Sequence, residues 1–255
     1  MKITALTENT SKFGLPVEHG LSLYIELADK KLLFDTGQSS LFSENAERLK
    51  IALGEVDTAV LSHGHYDHGG GLKKFLEINK KAPVYMSKFA FEPHFNGEKY
   101  IGLDTDLNRD RFIFTDGVTK ISDGLTLYSC NEMEKKVEFG SFGLNMFKNG
   151  KLVPDDFRHE HYLLIEENGK RTLISGCSHK GIINIVNRFK PDALVGGFHF
   201  SKLELDNKLK SYAEKLNSYN TDYYTCHCTG VEQFGFMKKY MKNLNYLSAG
   251  ETIEI

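Results

Sequence analysis

The spacing of apolar and polar positions changes several times along the chain, and each change marks an element. Leu21–Leu27 alternates apolar and polar residues, Lys31–Asp35 is a second short run, and Lys30-Lys31 lies in the tight connection between them. Together they predict a β-hairpin, following a first strand at the N-terminus. Across Ser39–Leu49 the residues Leu41, Phe42, Ala46 and Leu49 recur at helical spacing. Asp57–Ser62 is a short β-branched and apolar strand that runs straight into a histidine-rich segment, and Gly71–Ile78 reads as a helix. From residue 82 to 149 the pattern is less regular, with aromatics such as Phe89, Phe91 and Phe95 among short strands such as Leu125–Cys130. Residues 88–125 are expected to form an irregular insertion at the active site. Its aromatics are read as core rather than as a substrate pocket, by about two to one.

The last third has a clear rhythm. Strands at His161–Glu166 and Arg171–Ser175 flank the turn Glu167-Asn168-Gly169-Lys170. Helices at Gly181–Phe189, Leu203–Ser218 and Gly230–Lys242 then alternate with strands at Ala193–Gly197 and Tyr223–His227. Alternation with an antiparallel start predicts an α+β protein in which two sheets pack together with helices outside. With no repeat, low-complexity tract or linker, residues 1–255 are expected to form a single domain.

Composition narrows the function. The 255 residues are 40% hydrophobic, enough for a sizeable core, and the formal net charge is −2. That balance argues against a nucleic-acid or membrane-surface binder. No apolar run approaches the roughly 20 residues of a membrane span, and the N-terminus lacks the apolar stretch and cleavage site of a secretory signal. Of the four cysteines, Cys226 and Cys228 are one residue apart, poor geometry for a disulfide. A reducing, cytoplasmic setting is the simpler expectation.

His63, His65, Asp67 and His68 place four potential ligands in six residues at a strand end. Residues two apart leave a strand on the same side, so His63 and His65 can reach one ion. Asp67 and His68 come from the following turn and suit a second. Imidazole favours zinc, and a carboxylate widens the choice to iron or manganese. Gly64 and Gly69-Gly70-Gly71 would let the backbone bend sharply without Cβ clashes. A merely polar loop is the competing reading, and the density of ligands speaks against it.

Two later segments share a layout. Gly176-Cys177-Ser178-His179 and Thr225-Cys226-His227-Cys228-Thr229-Gly230 each follow a strand and open a helix, with Ser178 and Thr229 as expected caps. The bland reading of His179 and His227 is a hydrogen-bonded histidine at a strand end. His199, in Gly196-Gly197-Phe198-His199, is balanced between a substrate contact and plain structure. The two helix N-termini would favour an anion, so a phosphate or carboxylate on the substrate is expected. His159 and His161 are further candidates with no assigned role.

With these motifs the chain resembles the metallo-β-lactamase superfamily, whose signature is His-x-His-x-Asp-His. It is most similar to the branch of metal-dependent hydrolases related to the synthase that joins a dihydropterin to ribofuranosylaminobenzene phosphate. The likeness rests on Glu18-His19-Gly20-Leu21-Ser22, Phe34-Asp35-Thr36-Gly37, Leu61-Ser62-His63-Gly64-His65, Gly176-Cys177-Ser178-His179-Lys180-Gly181, Gly196-Gly197-Phe198-His199 and His227-Cys228-Thr229-Gly230. It implies an αββα sandwich with two divalent ions at one edge. It also assigns His63, His65 and His179 to one ion and Asp67, His68 and His227 to the other, with Asp35 holding the ligand loop by hydrogen bonds.

One departure stands out: Cys177 occupies the place where most members bridge the ions with an aspartate. The cysteine could bridge, or be a buried structural residue. The activity implied is hydrolysis or group transfer on a small, phosphate-bearing molecule, with Asp67 orienting water and His199 contacting substrate or donating a proton. Lactams, thioesters and lactones would suit the same centre. An iron oxidoreductase and a non-catalytic metal sensor are the alternatives. The flavin-linked di-iron members usually carry glutamate where this chain has His65, which counts against the first.

Overall fold

The computed structural model describes residues 1–255. The first strands are β1 (Lys2–Thr7), β2 (Ser22–Glu26), β3 (Lys31–Phe34), β4 (Thr58–Val60), β5 (Val84–Ser87), β6 (His94–Asn96), β7 (Lys99–Tyr100) and β8 (Phe112–Thr115). Next come β9 (Val118–Ser122), β10 (Leu125–Tyr128), β11 (Leu144–Lys148), β12 (Lys151–Pro154), β13 (Tyr162–Glu167) and β14 (Lys170–Ile174). The last four are β15 (Ala193–Gly196), β16 (Asp222–Thr225), β17 (Leu244–Tyr246) and β18 (Thr252–Glu254). The helices are α1 (Leu41–Arg48), α2 (Tyr66–Gly69), α3 (Leu72–Ile78), α4 (Ile182–Phe189), α5 (Asn207–Asn217) and α6 (Val231–Met237). No helix is long and apolar enough to cross a membrane.

The chain divides into two compact units. The first comprises Met1–Asp116, Gly143–His161 and Ser248–Ile255. Its seven-stranded sheet runs β18-β1-β2-β3-β4-β5-β8, antiparallel from β18 to β3 and parallel from β3 to β8. The predicted hairpin is β2–β3, in the register Glu26↔Lys31. Phe42 and Ala46 of α1 and Leu72 and Phe75 of α3 bury against Leu33, Ala59 and Val84, so each helix contributes the apolar stripe that its spacing predicted.

A second sheet of this unit, β12-β11-β6-β7, was not foreseen. The stretch 88–125, expected to be irregular, contains β6 to β9, and β8 joins the seven-stranded sheet. Strands of two to five residues are too short to show alternation, and Phe112-Ile113-Phe114 shows none.

The second unit comprises Gly117–Phe142 and Tyr162–Leu247. Its sheet, β17-β16-β15-β14-β13-β10-β9, is parallel from β17 to β14 and antiparallel from β14 to β9. Ile182, Ile185 and Val186 of α4 pack with Leu209 and Ala213 of α5 over Leu173, Leu194 and Tyr223. α5 begins at Asn207 rather than at Leu203, because the Asp206 carboxylate accepts the backbone N–H groups of Lys208 and Leu209. α6 ends at Met237, short of the expected Lys242. Both units thus combine a mixed sheet with helices, as the α+β prediction requires.

Candidate metal centre

In the first unit the histidine-rich segment leaves the carboxyl end of β4, a strand paired on both sides and fully buried. The loop is anchored to Asp35, which follows β3 with a left-handed φ of 61°. A non-glycine residue is strained there and persists where its surroundings hold it. Asp35 Oδ1 accepts the Ser62 N–H at 2.6 Å, and Oδ2 accepts the Ser62 hydroxyl at 2.7 Å and His68 Nδ1 at 2.6 Å.

These bonds decide the histidine tautomers. The Ser62 hydroxyl gives its proton to Asp35, so at His63 Nδ1, 2.8 Å away, it accepts. His63 and His68 therefore both carry a proton on Nδ1 and keep the Nε2 lone pair, the form in which imidazole binds a metal. The His63 ring lies 4.5 Å from that of His65 and 4.1 Å from that of His68, centroid to centroid, and all three are buried. Burial holds the His65 pKa well below the usual 6.5, reinforced by His159 and His94 and opposed by Asp67 and Asp155. His65 is thus neutral and has a lone pair to give. Asp67, at the start of α2, has Oδ2 at 3.3 Å from His19 Nε2 and 4.0 Å from His68 Nε2.

Gly64 and Gly69–Gly71 avoid Cβ clashes as expected, and they do so through close approach rather than through a left-handed backbone, since none has a positive φ. A Cβ on Gly64 would strike the Ala90 carbonyl, and one on Gly71 the carbonyls of Thr36 and Ser39.

The first unit holds a further buried group. Asp155, after β12, receives His94 Nδ1 at 2.8 Å and lies 3.4 Å from His159 Nε2. Donor atoms of His65, His94, Asp155 and His159 all fall within 4.8 Å of one another. Burial raises the Asp155 pKa, but the hydrogen bonds and charges of His159 and His94 override it and hold the carboxyl well below its ordinary range. His161 has a structural role, with Nε2 2.6 Å from the Leu61 carbonyl and Nδ1 3.3 Å from Thr115 Oγ1. Sequence reading missed His94 and Asp155; they are 61 positions apart, and no local pattern joins them.

In the second unit, β14, β15 and β16 are adjacent and parallel, and their carboxyl ends deliver Cys177 and His179, then His199, then His227 and Cys228. Donor atoms of Cys177, His179 and His199 lie within 4.8 Å of one another, as do those of Cys177, His227 and Cys228. Cys177 is the member common to both groups. His179 and His199 rings are 4.3 Å apart, and Phe142 packs on His199 at 5.1 Å. Ser178, His199 and His227 have φ of 58°, 57° and 49°, so strain collects on this rim. Burial raises the Cys228 thiol pKa, yet hydrogen bonds with Cys177 and His199 and the charges of His227 and His199 pull it well below the usual value.

Ser178 and Thr229 are not caps. The N-caps of α4 and α6 are Gly181 and Gly230, without side-chain hydrogen bonds. Ser178 bonds to Ser175, while Thr229 pairs with Thr225 and accepts the Phe198 N–H. Both hydroxyls are consumed in pinning the loops that carry His179 and His227 to the strands, and the expected anion sites at those helix ends lose that support.

A family model described as the metallo-beta-lactamase superfamily matches residues 15–219. An uncharacterized protein of Methanocaldococcus jannaschii is 32% identical, covering 99% of this chain and 100% of its own length. The 7,8-dihydropterin-6-methyl-4-(beta-D-ribofuranosyl)-aminobenzene-5'-phosphate synthase of the same organism is 30% identical, over 100% of this chain and 96% of that one. A solved structure described as a metal-dependent hydrolase of the beta-lactamase superfamily superposes with a TM-score of 0.86 at 30% identity, covering 100% of this chain and 99% of the other.

Proposed function

Because the chain belongs to the metallo-beta-lactamase superfamily, we propose that it is a metal-dependent hydrolase or group transferase acting on a small, phosphate-bearing substrate. The observation that carries this reading is the pair of tautomers set by Asp35 and Ser62, which puts the ring protons of His63 and His68 on Nδ1, the form in which Nε2 binds a metal. Imidazoles locked this way by a carboxylate suit a divalent cation. The ligand set follows the resemblance: His63, His65, Asp67, His68, His179 and His227, with Cys177 where an aspartate is usual. Two ions are proposed, zinc in the first place and iron or manganese as the alternatives. The family model runs through segments of both units, which supports one metallo-β-lactamase domain across residues 1–255.

When bound, the ions would acidify water and stabilise charge on a substrate oxygen. The chain's own residues do the rest. Asp67 would accept a hydrogen bond from the attacking water and hold it in line. His199, half-buried between His179 and Phe142, would donate a proton to the leaving group. Asp35 and Ser62 keep two imidazoles in the ligating form throughout. The phosphate on the substrate is argued from the name of the synthase relative, and that same name favours group transfer as a companion to hydrolysis.

Turnover of a panel comprising a phosphodiester, a phosphomonoester, a thioester, a lactone and a lactam tests the substrate class. Activity confined to the phosphate esters and lost in His65→Ala supports the reading. Turnover of the lactam or thioester alone overturns the phosphate, and full activity in His65→Ala overturns the metal mechanism.

A further inference from the structure

Adjacent residues of an extended chain point to opposite sides, so neighbours do not ordinarily converge on one spot. His227 and Cys228 do. β16 ends at Thr225, and His227 takes a left-handed φ of 49° as it opens a single tight turn over His227–Thr229. The Thr229 N–H closes that turn on the Cys226 carbonyl at 3.1 Å, and the Thr229 hydroxyl accepts the Phe198 N–H at 2.9 Å. A non-glycine residue is strained at such a φ and stays there only where its surroundings hold it. The turn brings a ring nitrogen of His227 and the Cys228 sulfur together with the Cys177 sulfur, all within 4.8 Å of one another, and the three residues are buried.

The strand between them leaves room for the thiol. A Cβ on Gly197, just past β15, would strike the Cys228 sulfur. The Gly197 N–H is tied to the Gly176 carbonyl at 2.8 Å, which holds that stretch beside the loop carrying Cys177. Cys228 Sγ lies 3.6 Å from the Cys177 carbonyl oxygen. No disulfide consumes either sulfur.

We propose that Cys177, His227 and Cys228 together hold one divalent ion, with Cys228 a ligand outside the set that the resemblance implies. Cys177 and His227 already belong to the centre read above, so this rests on that reading. What it adds is a second thiolate and a choice of metal. Two cysteines and a histidine are a known ligand set of open zinc sites, with the remaining position left to water or substrate. Thiolates are soft ligands that select zinc and disfavour manganese. Each thiol releases its proton as the metal–sulfur bond forms.

Cobalt(II) in place of zinc makes the sulfur ligands visible. The metal-free protein is loaded with cobalt(II), and bound cobalt is counted by elemental analysis in every variant. A sulfur-to-cobalt charge-transfer band in the near ultraviolet is expected for the native protein. It should weaken in Cys228→Ser and in Cys177→Ser, vanish in the double variant, and keep its full strength in Cys130→Ser. X-ray absorption of the zinc-loaded native protein needs no variant, and should find sulfur at about 2.3 Å from the metal. Cobalt that binds without the band, or a band that Cys228→Ser leaves whole, overturns the thiolate site while the metal centre itself stands. A native protein that takes up no cobalt or zinc overturns both.

Discussion

Asp35 Oδ2 receives His68 Nδ1 at 2.6 Å with both side chains wholly buried, and the same carboxylate takes both donors of Ser62. One residue on the loop after β3 thereby orients two imidazoles on the loop after β4. Asp35→Ala would strand three buried donors. Each costs about 1–3 kcal/mol when left unsatisfied. The variant should melt well below the native protein in calorimetry. Where it folds, chelator competition should show metal affinity lower by about 10–100-fold. Native-like affinity in Asp35→Ala would contradict the tautomer argument.

Gly64→Ala tests the close-packing role of that glycine. The added methyl must displace the Ala90 carbonyl, at a cost of about 1–3 kcal/mol as for other overpacked sites. Urea denaturation should report that loss with an unchanged slope. Gly169→Ala is a useful contrast, because no atom would touch its Cβ and only its positive φ of 75° resists the change.

The acid limb of stability carries the signature of Asp155. Its folded pKa is depressed by the hydrogen bonds and charges of His159 and His94, against an ordinary value of 3.8. A depressed carboxyl contributes stability that is present above the unfolded pKa and lost as pH falls below it towards the folded value. The stability gap between the native protein and Asp155→Asn should therefore be full near neutrality and narrow below 3.8. Chemical denaturation of the metal-free proteins across that range measures it, and a gap that widens on acidification would contradict the assignment.

Where one physical signal dominates, the chain reads easily. Apolar runs on either side of a Gly-containing turn mark β13–β14, helical spacing marks α1 and α3, and three histidines and an aspartate crowded into six residues expose the His63–His68 loop. The motif likeness named the family that the comparisons then showed, together with its α+β fold. What escaped is what depends on distant partners. The start of α5 turns on one capping carboxylate, although Leu203 and Leu205 tempt the eye upstream. Ser178 and Thr229 have the composition of caps, but neighbouring hydroxyls claimed them. His94 and Asp155 carry no mark until β6, β11 and β12 assemble into one sheet.

The central claim is a two-ion hydrolytic centre, and metal content measured alongside turnover tests it most directly. Elemental analysis of the purified protein should give two equivalents of zinc, iron or manganese per chain. A chromogenic phosphodiester should then be turned over, with activity lost to a chelator and regained on adding the metal back. One equivalent or none, with no turnover of any ester, would contradict the account and leave a metal-binding sensor as the better reading of the fold.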